Sequence, residues 1–408
     1  MKNLLLIIVI SSVLFFVGCD SATKPVEQES ITFNRYFIDD HNVEGNDAVQ
    51  MDDGGYFVLG TGKITHWQTY LTILKTDPLG NKLWQISDSS RIFTGVKLVR
   101  ASNGNMIALA NGDFPNRMYT GLFMFDTSGR LLKTLPLEAE AGYSTARSVV
   151  QTRDGGFLVY GTGNFTQVPK LRAMLWKVSA ALTLEWKFNT ASIPMDCTAY
   201  SVLEDDRGGY LIASAHSSTD TPRVVGAIPH LIKLDASRNV VWERSWDRIL
   251  IGSTFRTAIP TMDGGFLYGG YTYHLPYGPM SLLLVKIDSE GNEAWTQEYL
   301  KSSPCEIRSI LQNKYGDYIV SCYMLLNRSL MFEPVLMCAD NRGRMKWAET
   351  YGYRGFDYFN SVSQTRDGGY ILSGWLERDS TGALVQDILL VKVDGQGHPC
   401  VPIIKPRM

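Results

Sequence analysis

The stretch QTRDGGFLVYGTG, residues Gln151–Gly163, combines a polar approach, an Asp-Gly-Gly turn and an apolar run. Similar stretches begin at Gln50 (QMDDGGYFVLGTG), Pro260 (PTMDGGFLYGGYT) and Gln364 (QTRDGGYILSGWL). Asp-Gly suits a tight hairpin turn, because glycine readily adopts the positive φ angle that the turn requires. The stretch therefore predicts a β-hairpin that recurs along the chain.

The second glycine of this turn, or its equivalent, recurs at a nearly constant spacing. The seven positions are Gly55, Asn105, Gly156, Gly209, Gly265, Asp317 and Gly369, separated by 50, 51, 53, 56, 52 and 52 residues. In the third unit we expect strands at 147–152 (A), 157–163 (B), 173–178 (C) and 184–189 (D). Seven units of four antiparallel strands predict an all-β fold, a seven-bladed β-propeller.

A second turn, between strands C and D, carries the pattern Asp-x-x-Gly-x-x-x-Trp. The pattern is complete at Asp77–Trp84, Asp288–Trp295 and Asp340–Trp347. Elsewhere Arg238 replaces the glycine, and Lys133 replaces the tryptophan. Because each blade must pack on its neighbours, we expect the strand-D aromatic to wedge between blades.

The two ends of the array predict that the ring closes. The seventh unit stops after strand C and has no strand D with an aromatic residue. At the other terminus, Phe33 lies fourteen residues before Asp47, the interval that also separates Trp295 from Ser309. We expect this N-terminal strand to complete the last blade.

The first residues resemble the signal of a bacterial lipoprotein. A short basic start precedes an apolar run from Leu4 to Val17, too short to span a membrane comfortably, and Gly18-Cys19 follows. The resemblance implies lipid on Cys19 and a lipid-anchored protein of the bacterial cell envelope, with the inner or outer membrane left open. The alternative is a plain secretory signal. The expected divisions are a signal peptide (1–18), the lipidated cysteine and a flexible tether (19–30), the propeller (31–400) and a C-terminal tail (401–408).

Charge and cysteine content narrow the possible partners. The formal net charge is −2 and no basic run is present, which argues against nucleic acid as a partner. Five cysteines remain after Cys19, without the CxxC spacing of a metal site. Cys322 and Cys338 fall on strands expected to be neighbours, so either one disulfide or buried free thiols can result. We expect a monomer.

Across residues 31–400 the units resemble those of secreted bacterial and archaeal lipoprotein propellers with DGGY-I and L-x-K-x-D-x-x-G-x-x-x-W repeats. The resemblance implies the fold and a surface location. The second turn is also similar, more distantly, to the tryptophan-docking motif of quinoprotein propellers, which implies quinone as one possible cofactor. Calcium at the repeated turn carboxylates is another, although no unit has the dense acidic pattern of a calcium loop. Our main expectation is that no cofactor is bound.

Functional residues are expected on the rim that carries the B–C and D–A connections, because the units differ there. Candidate ligand-binding residues on its loops are His66, Trp67, His230, Tyr273, His274 and Trp375. A strand-A column at the channel mouth reads Asn46, Val96, Arg147, Tyr200, Arg256, Arg308 and Asn360. Its arginines suit an anionic group, with salt bridges to neighbouring acids as the alternative. A strand-C lysine column is too regular for one site and predicts framework: Lys75, Lys177, Lys233, Lys286 and Lys392.

The sequence contains no serine nucleophile elbow and no HExxH motif, and no acid pair breaks the repeat. This favours a non-catalytic protein that binds a glycan, a peptide or a partner protein through the variable rim. One alternative is a quinoprotein-like or polysaccharide-acting enzyme with the channel as active site. Another is a structural role in envelope assembly.

Overall fold

The computed structural model contains seven four-stranded antiparallel sheets and, among the residues it describes, no helix. These residues are 31–37, 42–65, 68–89, 93–114, 117–137, 144–165, 168–189, 197–217, 227–246, 253–273, 280–301, 304–325, 332–351, 357–380 and 383–399. The first strand of each sheet contacts the first strand of the next, and the seventh returns to the first. The molecule is therefore a closed seven-bladed β-propeller, as predicted. Within the described chain, no helix is long and apolar enough to cross a membrane.

The strands are numbered in chain order. Blade 1 contains β2 (Asn42–Gln50), β3 (Tyr56–Lys63), β4 (Thr69–Thr76) and β5 (Lys82–Asp88). Blade 2 contains β6 (Phe93–Arg100), β7 (Met106–Phe114), β8 (Arg117–Phe125) and β9 (Leu131–Leu137). Blade 3 contains β10 (Ser144–Gln151), β11 (Phe157–Phe165), β12 (Val168–Val178) and β13 (Leu184–Asn189). Blade 4 contains β14 (Cys197–Glu204), β15 (Tyr210–Ser217), β16 (Ala227–Leu234) and β17 (Val240–Ser245).

The remaining blades follow the same order. Blade 5 contains β18 (Thr254–Pro260), β19 (Phe266–Tyr273), β20 (Met280–Ile287) and β21 (Glu293–Tyr299). Blade 6 contains β22 (Cys305–Gln312), β23 (Tyr318–Leu325), β24 (Phe332–Ala339) and β25 (Met345–Thr350). Blade 7 contains β26 (Tyr358–Gln364), β27 (Tyr370–Ser380), β28 (Ala383–Val393) and β1 (Phe33–Phe37). The strands of blade 3 extend beyond the sequence-based limits by up to five residues, toward the variable rim.

Strand β1 closes the ring as predicted. It pairs antiparallel with β28 in blade 7, and Phe33 stands opposite Lys392. This is the register that Trp295 takes opposite Lys286 in blade 5. The N-terminal strand thus supplies both the backbone ladder and the aromatic side chain that the seventh unit lacks.

The strand-D aromatics lie between blades, each over the C–D turn of the next blade. A Cβ added at Gly343 would lie 2.9 Å from the Trp295 indole, so only glycine fits beneath that ring. The same contact joins Trp84 to Gly129, Trp242 to Gly291, Trp347 to Gly397 and, across the closure, Phe33 to Gly80. Two exceptions compensate locally. Arg238 replaces the glycine and stacks on Trp186 at 4.9 Å, whereas Lys133, which replaces a tryptophan, donates to the Ala181 carbonyl at 2.7 Å.

The lysine column is framework, as predicted. Each lysine amine lies against a carboxylate of the A–B turn, as in Lys286–Asp263 at 2.8 Å and Lys177–Asp154 at 2.7 Å. The same carboxylate accepts a backbone hydrogen bond within its turn, from Gly156 in the case of Asp154. Blades 2 and 6, which lack the lysine, also lack the aspartate. Asn103 and Met124 replace the pair in blade 2, and Tyr315 and Cys338 replace it in blade 6.

Cys305, Cys322 and Cys338 are buried free thiols. Cys338 stands opposite Ile319, three residues before Cys322 on the neighbouring strand. Because side chains alternate between the faces of a sheet, Cys322 and Cys338 point to opposite faces and cannot form the bridge considered from the sequence.

Candidate ligand-binding rim

Each innermost strand contains a β-bulge at the same place. The unpaired residue is Asn46, Val96, Arg147, Tyr200, Arg256, Arg308 or Asn360, which is the column predicted for the channel mouth. A bulge interrupts the edge ladder and redirects a side chain. The predicted column is therefore real as a structural position, and its seven members have different roles.

Several members of the column support the framework. The Asn46 side-chain oxygen accepts from the Thr61 hydroxyl at 2.6 Å, and the Asn360 amide donates to the Gly45 carbonyl of blade 1 at 2.9 Å. Tyr200 is buried and donates to the Phe255 carbonyl at 2.7 Å. Burial raises the pKa of Tyr200 to about 12, so its hydroxyl stays protonated at neutral pH.

The three arginines do not form one anion-binding ring. Arg147 is exposed, whereas Arg256 places its Nε 3.2 Å from Glu306 Oε1. Arg308 lies farther from the same carboxylate, at 3.9 Å, and its side chain is 37% exposed. The salt-bridge alternative therefore describes Arg256 and, more loosely, Arg308. Glu306 links them.

The other predicted loop residues separate into two groups. His230 is buried, with Nε2 3.6 Å from Glu243, and burial together with neighbouring His216 lowers its pKa to about 4. It is therefore a buried residue that is neutral at pH 7. Tyr273 and Trp375 lie on the rim itself and belong to the cluster described next. Cys19, His66, Trp67 and His274 lie outside the described residues.

A second strand-B column changes character halfway round the ring. Each member stands opposite the strand-A residue that lies two positions before the bulge residue. The members are Thr61, Asn111, Thr162, Ala215, Tyr271, Tyr323 and Trp375. Blades 1 to 4 carry small side chains here, and blades 5 to 7 carry aromatics. Because the blades are repeats of one unit, equivalent positions are expected to carry similar side chains. The change to aromatics on one side of the ring therefore marks a place where blades 5 to 7 are specialised.

We call the half-exposed and exposed aromatics of this region the aromatic arc: Tyr271, Tyr273, Tyr323, Phe332, Tyr358 and Trp375. The Tyr358 ring centroid lies 4.7 Å from that of Tyr323 and 4.9 Å from that of Trp375. Phe332 packs on Tyr323 at 5.0 Å, and Tyr271 packs on Tyr273 at 5.6 Å. These contacts form two groups of rings, one in blades 6 and 7 and one in blade 5, where Tyr273 is 38% exposed.

The two arginines are built into this surface. The Arg308 guanidinium lies over both the Tyr323 and Tyr358 rings, at 5.3 Å from each centroid. Arg256 lies over Tyr271 at 5.8 Å. Such stacking orients a guanidinium while leaving its N–H groups available at the edge.

Glu306 joins the two halves of the arc. Besides the arginine contacts, it accepts a hydrogen bond from the Tyr323 hydroxyl at 2.8 Å. Burial first, and then this hydrogen bond to Glu306, raises the pKa of Tyr323 well above its ordinary value. The phenol therefore remains a donor at every physiological pH.

Charges of both signs lie in and beside the arc. Arg256 and Arg308 supply two positive charges, and Glu306, Asp357 and Glu377 supply three negative ones. Arg308, Glu306, Glu377 and Asp357 all act electrostatically on Tyr358. The surface offers aromatic faces and many hydrogen-bonding groups, with a small excess of negative charge. Among the described residues, no group of three or more metal-ligating side chains is arranged to hold an ion.

No protein-family model and no curated protein matches the chain. The β-propeller domain of the Trilobed protease from Pyrococcus furiosus is similar in structure, at 10% identity and TM-score 0.50, over 90% of this chain and 99% of that one. Acylaminoacyl peptidase from Pyrococcus horikoshii is similar at 12% identity and TM-score 0.52, over 88% of this chain and 52% of that chain. This chain therefore spans about half the length of that peptidase. At such identities the likeness shows the β-propeller fold alone.

Proposed function

We propose that the protein is a non-catalytic, lipid-anchored receptor of the bacterial cell envelope that binds an uncharged glycan on the aromatic arc. The observation that carries the proposal is the strand-B column, which is small in four blades and aromatic in three neighbouring ones. This column departs from the repeat on one side of the ring. The framework that all seven blades share does not explain the difference, so the aromatic positions have a local role.

The chemistry of the arc suits a sugar chain. Aromatic side chains offer apolar faces to C–H-rich surfaces, and their polar tips remain in water. Arg256, Glu306 and Arg308 add planar donors and acceptors beside those faces. Small-molecule sites commonly combine apolar walls with a few placed polar groups of this kind. The excess of carboxylates over arginines favours an uncharged ligand over an acidic one.

A peptide ligand is less well supported. Extended peptides often bind by adding a strand to an exposed sheet edge. Among the described residues, the sheet edges at the channel mouth are the innermost strands, and each carries the bulge that breaks its ladder. A ligand at the arc must therefore be recognised by side chains, which is the usual way in which proteins bind glycans.

Glu306 is also poorly placed for catalysis. Its oxygens are engaged by Arg256 and by the Tyr323 hydroxyl, whereas a glycosidase requires two carboxyl groups free to exchange protons or attack. Binding without turnover is the function that this arrangement supports best.

The anchor agrees with this role. A tether that ends at residue 30 joins the body just before Phe33, whose ring lies over Gly80 in a C–D turn. The chain therefore enters on the rim of the repeated turns, opposite the arc. Attachment through Cys19 would leave the arc facing away from the membrane.

A glycan array tests the proposal. The wild-type body, residues 31–400, is expected to retain a set of uncharged glycans, and Tyr271→Thr with Trp375→Thr is expected to abolish that retention. Threonine is the residue that blades 1 and 3 carry in the same column. Tyr315→Ala is the matched control, because Tyr315 is an exposed tyrosine on the opposite rim. Retention that survives the double substitution, or the absence of any retained glycan, would refute the proposal.

A further inference from the structure

A ring of side-chain bridges joins neighbouring blades at their A–B turns. Gln151 of blade 3 accepts from the Ser102 amide of blade 2 at 3.0 Å. Gln312 does the same with Met262, Gln364 with Lys314, and Gln50 with Arg366, at 2.7 to 2.9 Å. Glu204 accepts from the Arg153 amide at 3.0 Å, and Arg100 pairs with Asp52 between blades 1 and 2.

The bridge is missing between blades 4 and 5. Pro260 occupies this position in blade 5, opposite Phe266, as Gln151 stands opposite Phe157 in blade 3. Proline has no side-chain group that could accept or donate the bridging hydrogen bond. In the described part of the chain, this is the one junction that has no side-chain bridge at this position.

A cleft of about 960 Å³ lies at the same junction. Its apolar lining includes Val241 and Met262, which are 59% and 67% exposed, together with half-buried Trp242. Exposed methionine and valine side chains next to an indole give this cleft an apolar part. The volume is near the upper end of the range usual for ligand pockets.

The polar lining is mainly acidic. Glu204, Asp205, Asp206, Asp235, Asp263 and Glu290 face Arg153, Arg207 and Lys233, and Lys286 pairs with Asp263, which leaves two net negative charges. Hydrogen bonds from Asn239 lower the pKa of Asp235. The pKa of Asp263 is lowered by Lys286 and Thr261 although burial acts to raise it. Both of these carboxylates are therefore charged at neutral pH.

We propose that this cleft is a second binding site, which takes an extended basic segment of a partner polypeptide with lysine and aliphatic side chains in alternation. The lysines match the acidic lining, and the aliphatic side chains match Val241 and Met262. Charge complementarity of this kind steers association and selects the partner. The site is separate from the aromatic arc, because it lies on the rim of the repeated turns.

Fluorescence anisotropy with a labelled hexapeptide, acetyl-KVKVKV-amide, tests the site in the folded 31–400 body. The peptide is expected to bind, and binding is expected to weaken as salt is raised. The matched EVEVEV peptide is expected not to bind. Pro260→Gln introduces the residue that four other blades carry here, so it should restore the bridge, narrow the cleft and weaken binding by about tenfold or more.

A second variant keeps the test independent of the bridge. Asp206→Asn with Glu290→Gln removes two exposed charges and should also weaken binding by about tenfold. Spermidine, a polycation without aliphatic side chains, should displace the KVKVKV peptide fully only if the cleft recognises charge alone. No KVKVKV binding, binding equal to that of EVEVEV, full competition by spermidine, or unchanged affinity in both variants would overturn the proposal. Glycan retention by the arc is expected to be unaffected in both variants.

Discussion

The Lys392–Asp367 pair offers the sharpest test of how each blade is held together. Lys392 is 1% exposed, its amine lies 2.9 Å from Asp367, and it also donates to the Val393 carbonyl at 2.9 Å. Burial lowers the pKa of Lys392 despite the opposing effect of Asp367. A Cβ at Gly369 would lie 2.5 Å from the amine, so the turn is shaped around this lysine.

Lys392→Met should lower the free energy of unfolding by about 3 kcal/mol, since it leaves a partly buried carboxylate without its cation. This is the lower end of the usual range, because Asp367 is 19% exposed and keeps its bond from the Gly369 amide. Asp367→Asn added to Lys392→Met should recover most of the loss, to within about 1 kcal/mol of wild type. Blade 2 already carries this combination as Asn103 and Met124.

Guanidinium unfolding followed by tryptophan fluorescence measures both variants. The double variant should be about 2 kcal/mol more stable than Lys392→Met alone, with unchanged dependence on denaturant. If the double variant is no more stable than Lys392→Met alone, the paired replacement in blades 2 and 6 has another cause, and the reasoning is wrong.

Four further outcomes are expected. Phe33→Ala should lower the free energy of unfolding by about 3–5 kcal/mol in a denaturant titration, because the buried ring closes the propeller over Gly80; an effect below about 1 kcal/mol would mean that β1 is dispensable. Thermal stability should fall as pH drops from about 4 toward about 2, since the Lys177 and Thr152 contacts, against the effect of burial, lower the folded pKa of Asp154 to about 2, and protons then bind the unfolded chain first; a flat profile would contradict this. Cys19→Ala should shift the protein from the membrane to the soluble fraction of expressing cells, and unchanged fractionation would remove the lipid anchor from the account. Arg308→Lys should weaken glycan binding by about tenfold while leaving the melting temperature unchanged, because lysine keeps the charge but not the stacked planar donors; equal affinity would show that the fork is not used.

The fold was largely predictable because its signals are local. Each Asp-Gly-Gly turn and each strand-D aromatic lies within one short stretch, and their spacing alone indicates blades and closure through Phe33. The bulge in every innermost strand was not predictable. An extra residue in one strand changes the pairing register, but it does not change the amino-acid composition of the segment. Arg147 and Tyr200 both occupy the bulge position, although Arg147 is exposed and Tyr200 is buried.

The site was only partly predictable, because it depends on pairing between distant segments. Tyr273 and Trp375 were identified from their loops, whereas Tyr271, Tyr358 and Glu306 were missed. Glu306 is two residues from Arg308 in sequence, but its contact to Tyr323 requires the β22–β23 pairing, and its contact to Arg256 exists only after blades 5 and 6 pack together. The signal that could have revealed the arc is the strand-B column, read once the repeat is aligned.

Hydrogen–deuterium exchange with and without a glycan retained on the array tests the central claim most directly. We predict added protection at the variable-rim ends of β19, β23, β24, β26 and β27, which carry the arc, and of β18 and β22, which carry Arg256 and Arg308 beside it. The corresponding strands of blades 1 to 3 should be unchanged. Protection on the rim of the repeated turns, or spread evenly over the seven blades, would contradict the assignment of the ligand site to the aromatic arc.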